Sequence, residues 1–505
     1  MRTDFSPLLW RGARGEVINI EKIMKNKLTK LLLCILCFIG TVSVATAQEK
    51  RERFDQPWKN GKLKVSDNHR FLQFENGKPF FWLGETAWLL PSRSNREEAG
   101  YFVGETAKNG FNVIQISVLH GVTAINAYGS WALPNGFDFS NIDKKGEYNY
   151  WQHVDFIVQE AQKNGVYIGI VCVWGGNVKA GLLSVDDAKK YGQFLAERYK
   201  KYPNIIWIIG GDQPGSIKPE VWEALATSIK SIDKDHLMTY HPFGRTMSAT
   251  WFNNSSWLDF NMFQSGHRRY GQINGDGDKS IEPNTEEDNW RFAEKSLAMQ
   301  PVKPVLDAEP SYEDIPQGLH DFTQPRWKAE DVRRYAYWSV FAGSFGHTYG
   351  NNSTMQMLHP GYSPAYGATK PWWESIHDPG CQQMKYLKAL ISAFPYFDRV
   401  PDQSVIAGAN GVQYERVIAT RGNDYILVYN YTNRQTEIDL TKISGAKKKA
   451  WWMNPMDGAL EYIGEFTNGK QPFIHKSGSH IGNDKVLIII DSTKTYIAID
   501  QNNIL

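Results

Sequence analysis

Two stretches of the chain follow one pattern of apolar and polar positions. KNGFNVIQISVL (Lys108–Leu119) and KNGVYIGIVCVW (Lys163–Trp174) lie 55 residues apart, and each follows a segment with apolar residues at helical spacing. Both turn on Asn-Gly, with Gly as the left-handed residue past the helix end, and both then run apolar for the length of a strand. Helix-start signals of the capping-box type stand at Asn95 with Glu98 and at Ser184 with Asp187. Strands that alternate with helices in this way predict a parallel sheet.

The same pattern, followed along the chain, gives eight strands: residues 80–88, 112–120, 166–174, 204–212, 237–243, 259–267, 304–312 and 345–353. Eight is the number that closes a (β/α)8 barrel, so the predicted fold class is α/β, a TIM barrel. A doubly wound open sheet is the alternative, but no Gly-rich phosphate fingerprint follows the first strand. Many of these strands start apolar and finish in polar or aromatic residues, among them Glu85 and Trp88, His120, Trp174, Asp212, His241, Gln264 and His267, Glu309, and Tyr349. In a barrel those ends share one mouth, where such enzymes keep their chemistry.

Ahead of the barrel, a Glu-Asn-Gly-Lys turn at residues 75–78 between apolar runs predicts a hairpin that caps the barrel bottom. Beyond Pro395 the helical period stops, and short strands such as DYILVYNYT and KVLIIIDS predict a C-terminal all-β sandwich. The expected organisation is a leader over 1–47, a linker over 48–66, the barrel over 67–395 and the sandwich over 396–505. Within the leader, Met24 begins a signal peptide: MKNKLTK, an apolar run from Leu31 to Val44, and a small-residue site that places cleavage after Ala47. Met24 is then the expected true start, and the protein is expected to be exported to the periplasm or beyond the cell. That apolar run is shorter than the ~20 residues of a membrane span, and no later segment reaches that length.

Residues 1–47 hold seven Lys/Arg against three Asp/Glu, so their removal takes the net charge from +2 to about −2. A chain of that balance gives no reason to expect nucleic acid or an anionic surface as partner. Past the leader only Cys172 and Cys381 remain, too few for a disulfide framework. Nothing in the sequence sets an oligomeric state.

Two carboxylates at one mouth, Asp212 after the fourth strand and Glu309 after the seventh, suit glycoside hydrolysis. One carboxyl protonates the leaving oxygen, and the other attacks or activates water across the sugar ring. Asp212 has a turn or cap acid as its alternative reading, and Glu309 has Asp307, Glu313 and Asp314 as competitors nearby. Glu85 suits either a sugar hydroxyl or a buried ion pair. His120, His241 and His267 fall on different strands with no HExxH motif, so hydrogen bonds to hydroxyls are expected of them and no metal or other cofactor. Gln264 and Tyr349 join the same set, and Trp88, Trp131 and Trp174 are candidate stacking platforms for sugar rings or plain rim packing. Arg245, Arg268 and Arg269 either pair with the carboxylate of an acidic sugar or are solvated at the surface.

With FFWLGETAWLL, GGDQPG, KPVLDAEPSYED and AWWMNPMDG quoted together, the chain from about residue 57 onward resembles glycoside hydrolase family 140, the apiosidases, whose barrel is joined to a module labelled collagen-binding. The resemblance implies an enzyme that cleaves the apiosyl linkage between side chains and the galacturonan backbone of the pectin rhamnogalacturonan-II. It also implies Asp212 as general acid/base and Glu309 as nucleophile. One departure stands out: many retaining barrel glycosidases end strand four in Asn-Glu, where this chain has Gly211-Asp212. Retention or inversion then turns on whether the carboxyls stand ~5 or ~6.5–9.5 Å apart. A glycan-binding protein without activity, or a glycosidase for another sugar, are the competing expectations.

Overall fold

Each of the eight apolar runs forms a strand in the computed structural model, which describes residues 55–143, 148–272 and 285–496. The leader, its cleavage site and the start of the linker lie outside the described residues. In chain order the strands are β1 (Trp82–Thr86), β2 (Val113–Ser117), β3 (Tyr167–Val171), β4 (Ile205–Gly210), β5 (Met238–His241), β6 (Asn261–Gln264), β7 (Val305–Asp307) and β8 (Gly346–Tyr349). All are buried along their whole length, which is why they read as continuous apolar runs rather than alternating ones.

The strands pair in parallel in the order β6-β7-β8-β1-β2-β3-β4-β5, with the short segment Thr246–Met247 antiparallel on β6. Asp259 N donates to Met238 O at 2.8 Å, and Thr239 Oγ1 donates to Phe260 O at 2.7 Å. These bonds join β5 to the entry of β6 and close the barrel. Outside it lie helices α1 (Arg96–Lys108), α2 (Tyr150–Lys163), α3 (Val185–Tyr199), α4 (Pro219–Ile232), the single turn α5 (Ala249–Phe252), α6 (Asp288–Ala298), α7 (Ala329–Phe341) and α8 (Pro379–Ser392). The capping boxes at Asn95 and Ser184 are formed as the spacing predicts.

The barrel bottom is covered by a three-stranded antiparallel sheet, Leu63–Val65, Leu72–Phe74 and Pro79–Phe80, whose Phe80 packs edge-on against Tyr167 at the start of β3. Beyond residue 399 every strand pairing is antiparallel: six strands in one sheet face three in another. The inner faces enclose a core of Val417, Ala419, Ile426, Val428, Trp452, Leu487 and Ile489 among others. The outer face of the six-stranded sheet is also covered, because Ile418, Leu427, Tyr429, Trp451, Met453 and Ile488 join the core of the barrel's own helices. Tyr429 stacks on Tyr337 of α7 with ring centres 4.6 Å apart. Burial on both faces explains KVLIIID, which has no alternation because it has no solvent side.

Helix α7 shows the same cause. From Val332 to Phe341 every residue is buried, because one side meets the barrel and the other meets the sheet. Its two arginines are compensated at that junction: Arg333 crosses it to Asp484, bidentate at 2.9 and 2.7 Å, and Arg334 reaches Glu286 on the barrel side at 2.6 Å. Trp451 and Trp452, which stood out in sequence, are both buried, one on each face of the sheet.

Candidate active site

The five apolar residues Ile205–Ile209 fill β4, hydrogen-bonded to β3 on one side and β5 on the other. The strand ends because three successive residues take left-handed backbone: Gly210 at φ 90°, Gly211 at φ 114° and Asp212 at φ 57°. A Cβ on Gly210 would lie 2.4 Å from His241 O. Gly211 N donates to that same carbonyl at 3.0 Å, and Gly211 O accepts from Gly175 N at 2.8 Å. The glycines let the chain turn tightly between the ends of β3 and β5, and the turn delivers the Asp212 carboxyl to the mouth. Left-handed backbone at a residue with a Cβ costs on the order of 1–2 kcal/mol, so the fold holds Asp212 against its own preference.

Glu309 follows β7, held by the bonds from Ala308 N to Phe263 O (2.9 Å) and from Gly266 N to Glu309 O (3.0 Å). Two imidazoles face its carboxylate: His241 Nε2 is 3.3 Å from Oε2, and His267 Nε2 is 3.4 Å from Oε1. Burial alone pushes the Glu309 pKa up, but the two histidines outweigh it and hold the group down at about 2. Asp212 is shifted the other way, to about 7, first by burial and then by the charge of Glu309, against smaller opposing contributions from His241, the Gly244 N–H and the Gln264 side chain. One carboxyl of the pair is thus kept protonated and the other ionised at the same pH, the division that acid-assisted glycoside cleavage uses.

Both acids line a cavity of about 690 Å³ at the C-terminal ends of the strands, within the size range of ligand pockets. Trp88, His120, Trp174, Gln264 and His267 line it as the sequence predicts. Trp88 packs against Trp174 at 5.3 Å and edge-on to His241 at 5.3 Å, while His120 lies over Trp174 at 4.7 Å. His241, expected to bond substrate hydroxyls, is instead fully buried behind Glu309 and is not part of the cavity wall, because its ring is taken up by the carboxylate. Several buried polar atoms of the wall have no hydrogen-bond partner among the described residues: His120 Nδ1, His267 Nδ1, Gln264 Oε1 and Tyr312 Oη. Burial pulls His120 down to about 4, so this imidazole is neutral and able to accept as well as donate. Unmet donors and acceptors of this kind in a cavity wall suit a ligand rich in hydroxyls.

Three more of the expected site residues stand elsewhere. Glu85 is fully buried beneath the cavity, where Thr354 Oγ1 donates to it at 3.0 Å, and its pKa is driven well up by burial. Tyr349 donates to Glu313 at 2.5 Å in the same buried cluster. A strand end points a side chain into either the mouth or the packing around it, and these two face the packing. Trp131 is half exposed on the loop after β2, bridged to Ile125, and is not part of the cavity wall. Of the competing acids, Asp307 is fixed by Ser265 (2.6 Å) and Asn289 (2.7 Å), and Glu313 by Tyr349 and Gly380 N. Arg245 and Arg268 line the cavity, and Arg269 does not.

The wall also holds residues that sequence reasoning missed: Arg93, Tyr312, His320 and Tyr366. Tyr366 feels the charges of both Glu309 and Asp212. Tyr312, three residues past Glu309 in DAEPSY, had a signal in its spacing from the acid; Arg93 ends the short helical turn Leu90–Arg93 and Tyr366 sits on a loop, and neither has a local pattern to mark it. Among the described residues no group of three or more His, Cys, Asp or Glu is arranged to hold a metal, and no helix is long and apolar enough to cross a membrane.

The family model described as "Apiosidase-like, catalytic domain" matches residues 66–398, and "Putative collagen-binding domain of a collagenase" matches residues 400–490. Among solved structures, a protein described as a glycoside hydrolase is 63 % identical, with a TM-score of 0.86 over 88 % of this chain and 100 % of its own. A glycoside hydrolase family 5 protein from Bacteroides vulgatus ATCC 8482 is 61 % identical, with a TM-score of 0.86 over 88 % of this chain and 96 % of its own. No curated protein matches the chain. The barrel, the carboxyl pair at its mouth and these likenesses agree: the chain is a glycoside hydrolase and belongs to the apiosidase-like family.

Proposed function

We propose that the enzyme cleaves the apiosyl to galacturonic acid linkage of the pectin rhamnogalacturonan-II, with Asp212 as general acid/base and Glu309 as nucleophile. The observation that carries the roles is geometric: His241 and His267 stand 3.3 and 3.4 Å from the Glu309 carboxylate while Asp212 is buried beside it in the same cavity, which lowers the pKa of Glu309 and raises that of Asp212. Asp212, protonated near neutrality, gives its proton to the glycosidic oxygen as the bond to the anomeric carbon breaks. Glu309, ionised and flanked by His241 and His267, attacks that carbon from the other side and forms a glycosyl ester. Asp212, now a carboxylate, then takes a proton from the water that hydrolyses the ester, which restores both groups. The unpartnered His120, His267, Gln264 and Tyr312 atoms are suited to hold sugar hydroxyls, and Trp88 and Trp174 supply apolar faces.

The linkage is supported by the family match and by arginines in the wall of an otherwise acidic site. The test is digestion of rhamnogalacturonan-II and its fragments with identification of the products. Release of an apiose-terminated side chain and a free galacturonan hydroxyl is expected. Activity on other glycans with none on this linkage would reject the substrate and keep the glycosidase. We further propose export by the leader from Met24 to Ala47, to be checked by the N-terminal sequence of the mature protein, expected to begin at Gln48.

A further inference from the structure

The cavity with the carboxyl pair has three arginines in its wall, and they are not equivalent. Arg245 leans over the Phe243 ring at 5.9 Å, and Arg268 has the charge of Asp288 near it. Arg93 lies in the helical turn Leu90–Arg93 that follows β1. Its Nη1 donates to Gln356 O at 3.0 Å, and its guanidinium sits 4.7 Å from the centre of the Tyr362 ring. No carboxylate stands within ion-pair distance of it among the described residues, and burial, the main influence on it, disfavours its charge. A half-buried guanidinium with no counter-ion is a costly feature of a cavity wall unless a ligand brings the anion.

The surroundings say where that anion belongs. Arg93 lies close enough to His120 for its charge to disfavour protonation of that imidazole, so it stands on the His120 and Trp174 side of the cavity. A second anion beside Asp212 and Glu309 would be repelled, and Arg93 offers a wall position where its charge is met with no protein carboxylate in ion-pair distance among the described residues. The Gln356 carbonyl fixes one arm of the planar fork, and among the described residues no acceptor bonds its other N–H groups, an arrangement suited to two-point pairing with a carboxylate. The Tyr362 ring beside Arg93 packs against His359, and His359 against the exposed Trp373, with ring centres 4.5 and 6.5 Å apart.

We infer that Arg93 is the specificity residue for an acidic sugar, pairing with the carboxylate of the uronic acid that adjoins the scissile bond, while the Tyr362–His359–Trp373 row carries the continuing chain. This assignment rests on the glycosidase reading above. The test compares kcat/KM of the full-length enzyme on an apiosyl galacturonide with its free carboxylate and on the same fragment after carboxyl reduction. The wild type is expected to prefer the acidic form by about 10- to 100-fold, chiefly through KM. In Arg93→Met that preference is expected to vanish, and in Arg93→Lys, which keeps the charge without the fork, to survive in part. An undiminished preference in a folded Arg93→Met overturns the assignment; if that variant does not fold, an undiminished preference in Arg93→Lys overturns it.

If the wild type hydrolyses neither fragment, the linkage is wrong, and Arg93 is judged by binding alone. Calorimetric titration of galacturonate and of galactose into Asp212→Asn, with and without Arg93→Met, is then the readout. Selective binding of galacturonate that depends on Arg93 upholds the assignment, and equal binding of the two sugars sinks it.

Discussion

The Glu309 carboxylate and the His241 imidazole stand 3.3 Å apart, Oε2 against Nε2, and the same ring receives the Asp212 N–H on Nδ1 at 3.4 Å. Because Nδ1 accepts, the ring proton rests on Nε2, where it faces Glu309. One side chain from the end of β5 therefore ties the loop of Asp212 to the loop of Glu309. His241→Phe keeps the ring and removes both contacts. It is expected to raise the Glu309 pKa and move the acidic limb of the kcat/KM profile up by about one pH unit or more. An acidic limb that stays in place would show that His267 alone keeps Glu309 ionised.

Asp212→Asn and Glu309→Gln each remove one member of the pair with little change in shape. Both are expected to lower kcat by on the order of 10²- to 10⁴-fold while circular dichroism and melting show a folded protein. Wild-type turnover in either variant would remove that residue from the mechanism.

The pH profile has a stated sign. In the proposed mechanism Asp212 acts protonated, and burial with the charge of Glu309 raises its pKa to about 7, so kcat/KM is expected to fall as pH rises through that value. Stability follows the same group. Unfolded Asp212 loses its proton near 3.8 and the folded group near 7, so between those values the folded state binds more protons and stability declines with rising pH. Asp212→Asn removes this decline. Relative to wild type it is expected to gain about 1–2 kcal/mol between pH 4 and pH 8, discounted from the full shift because the group opens onto the cavity. Denaturant melts at the two pH values check this, and an equal difference at both would contradict it.

Gly210 is the tightest point of the turn that places Asp212, with φ 90° and the His241 carbonyl 2.4 Å from where a Cβ would stand. Gly210→Ala is expected to cost about 1–3 kcal/mol in stability and to reduce kcat further than the melting change explains, because Asp212 moves with the turn. Thermal melts read beside single-turnover rates separate the two effects. A stable, fully active variant would mean that the turn relaxes without displacing the acid.

Arg334 is buried at the junction of barrel and sheet, bonded to Glu286 at 2.6 Å and surrounded by the rings of Tyr335, Trp338, Tyr414 and Tyr431 at 4.8 to 5.0 Å. Arg334→Met leaves Glu286 as an unpaired buried carboxyl and is expected to destabilise by about 3–5 kcal/mol. Truncation after residue 398 strips the same face of α7 and exposes Tyr337 and Phe341, so the barrel alone is expected to be insoluble or poorly folded. A soluble, cooperatively melting barrel would show that the sheet is dispensable.

Much of this was legible in the chain. The helix starts at Asn95 and Ser184 and the strands β1 to β8 were readable because capping and burial on both faces are local in sequence. Asp212 and Glu309 could be paired because parallel strands of one barrel end at one mouth, whatever their separation along the chain. Glu85, Tyr349 and Trp131 could not be placed the same way. At a strand end the direction of a side chain depends on the twist of the next residue and on what the neighbouring loop fills, and Thr354 and Glu313 claim Glu85 and Tyr349 for the packing.

The sequence by itself determined the barrel, the all-β C-terminal part and the two carboxyls, since periodicity, turn residues and strand ends are properties of neighbouring positions. The tertiary structure alone decided which carboxyl is protonated, because that depends on His241 and His267 meeting Glu309 and on how deeply each acid is buried. It alone brought Arg93, Tyr312 and Tyr366 into the cavity. Charge and solvation act through space over a few ångströms, and the groups that set them lie on loops that the chain order keeps far apart.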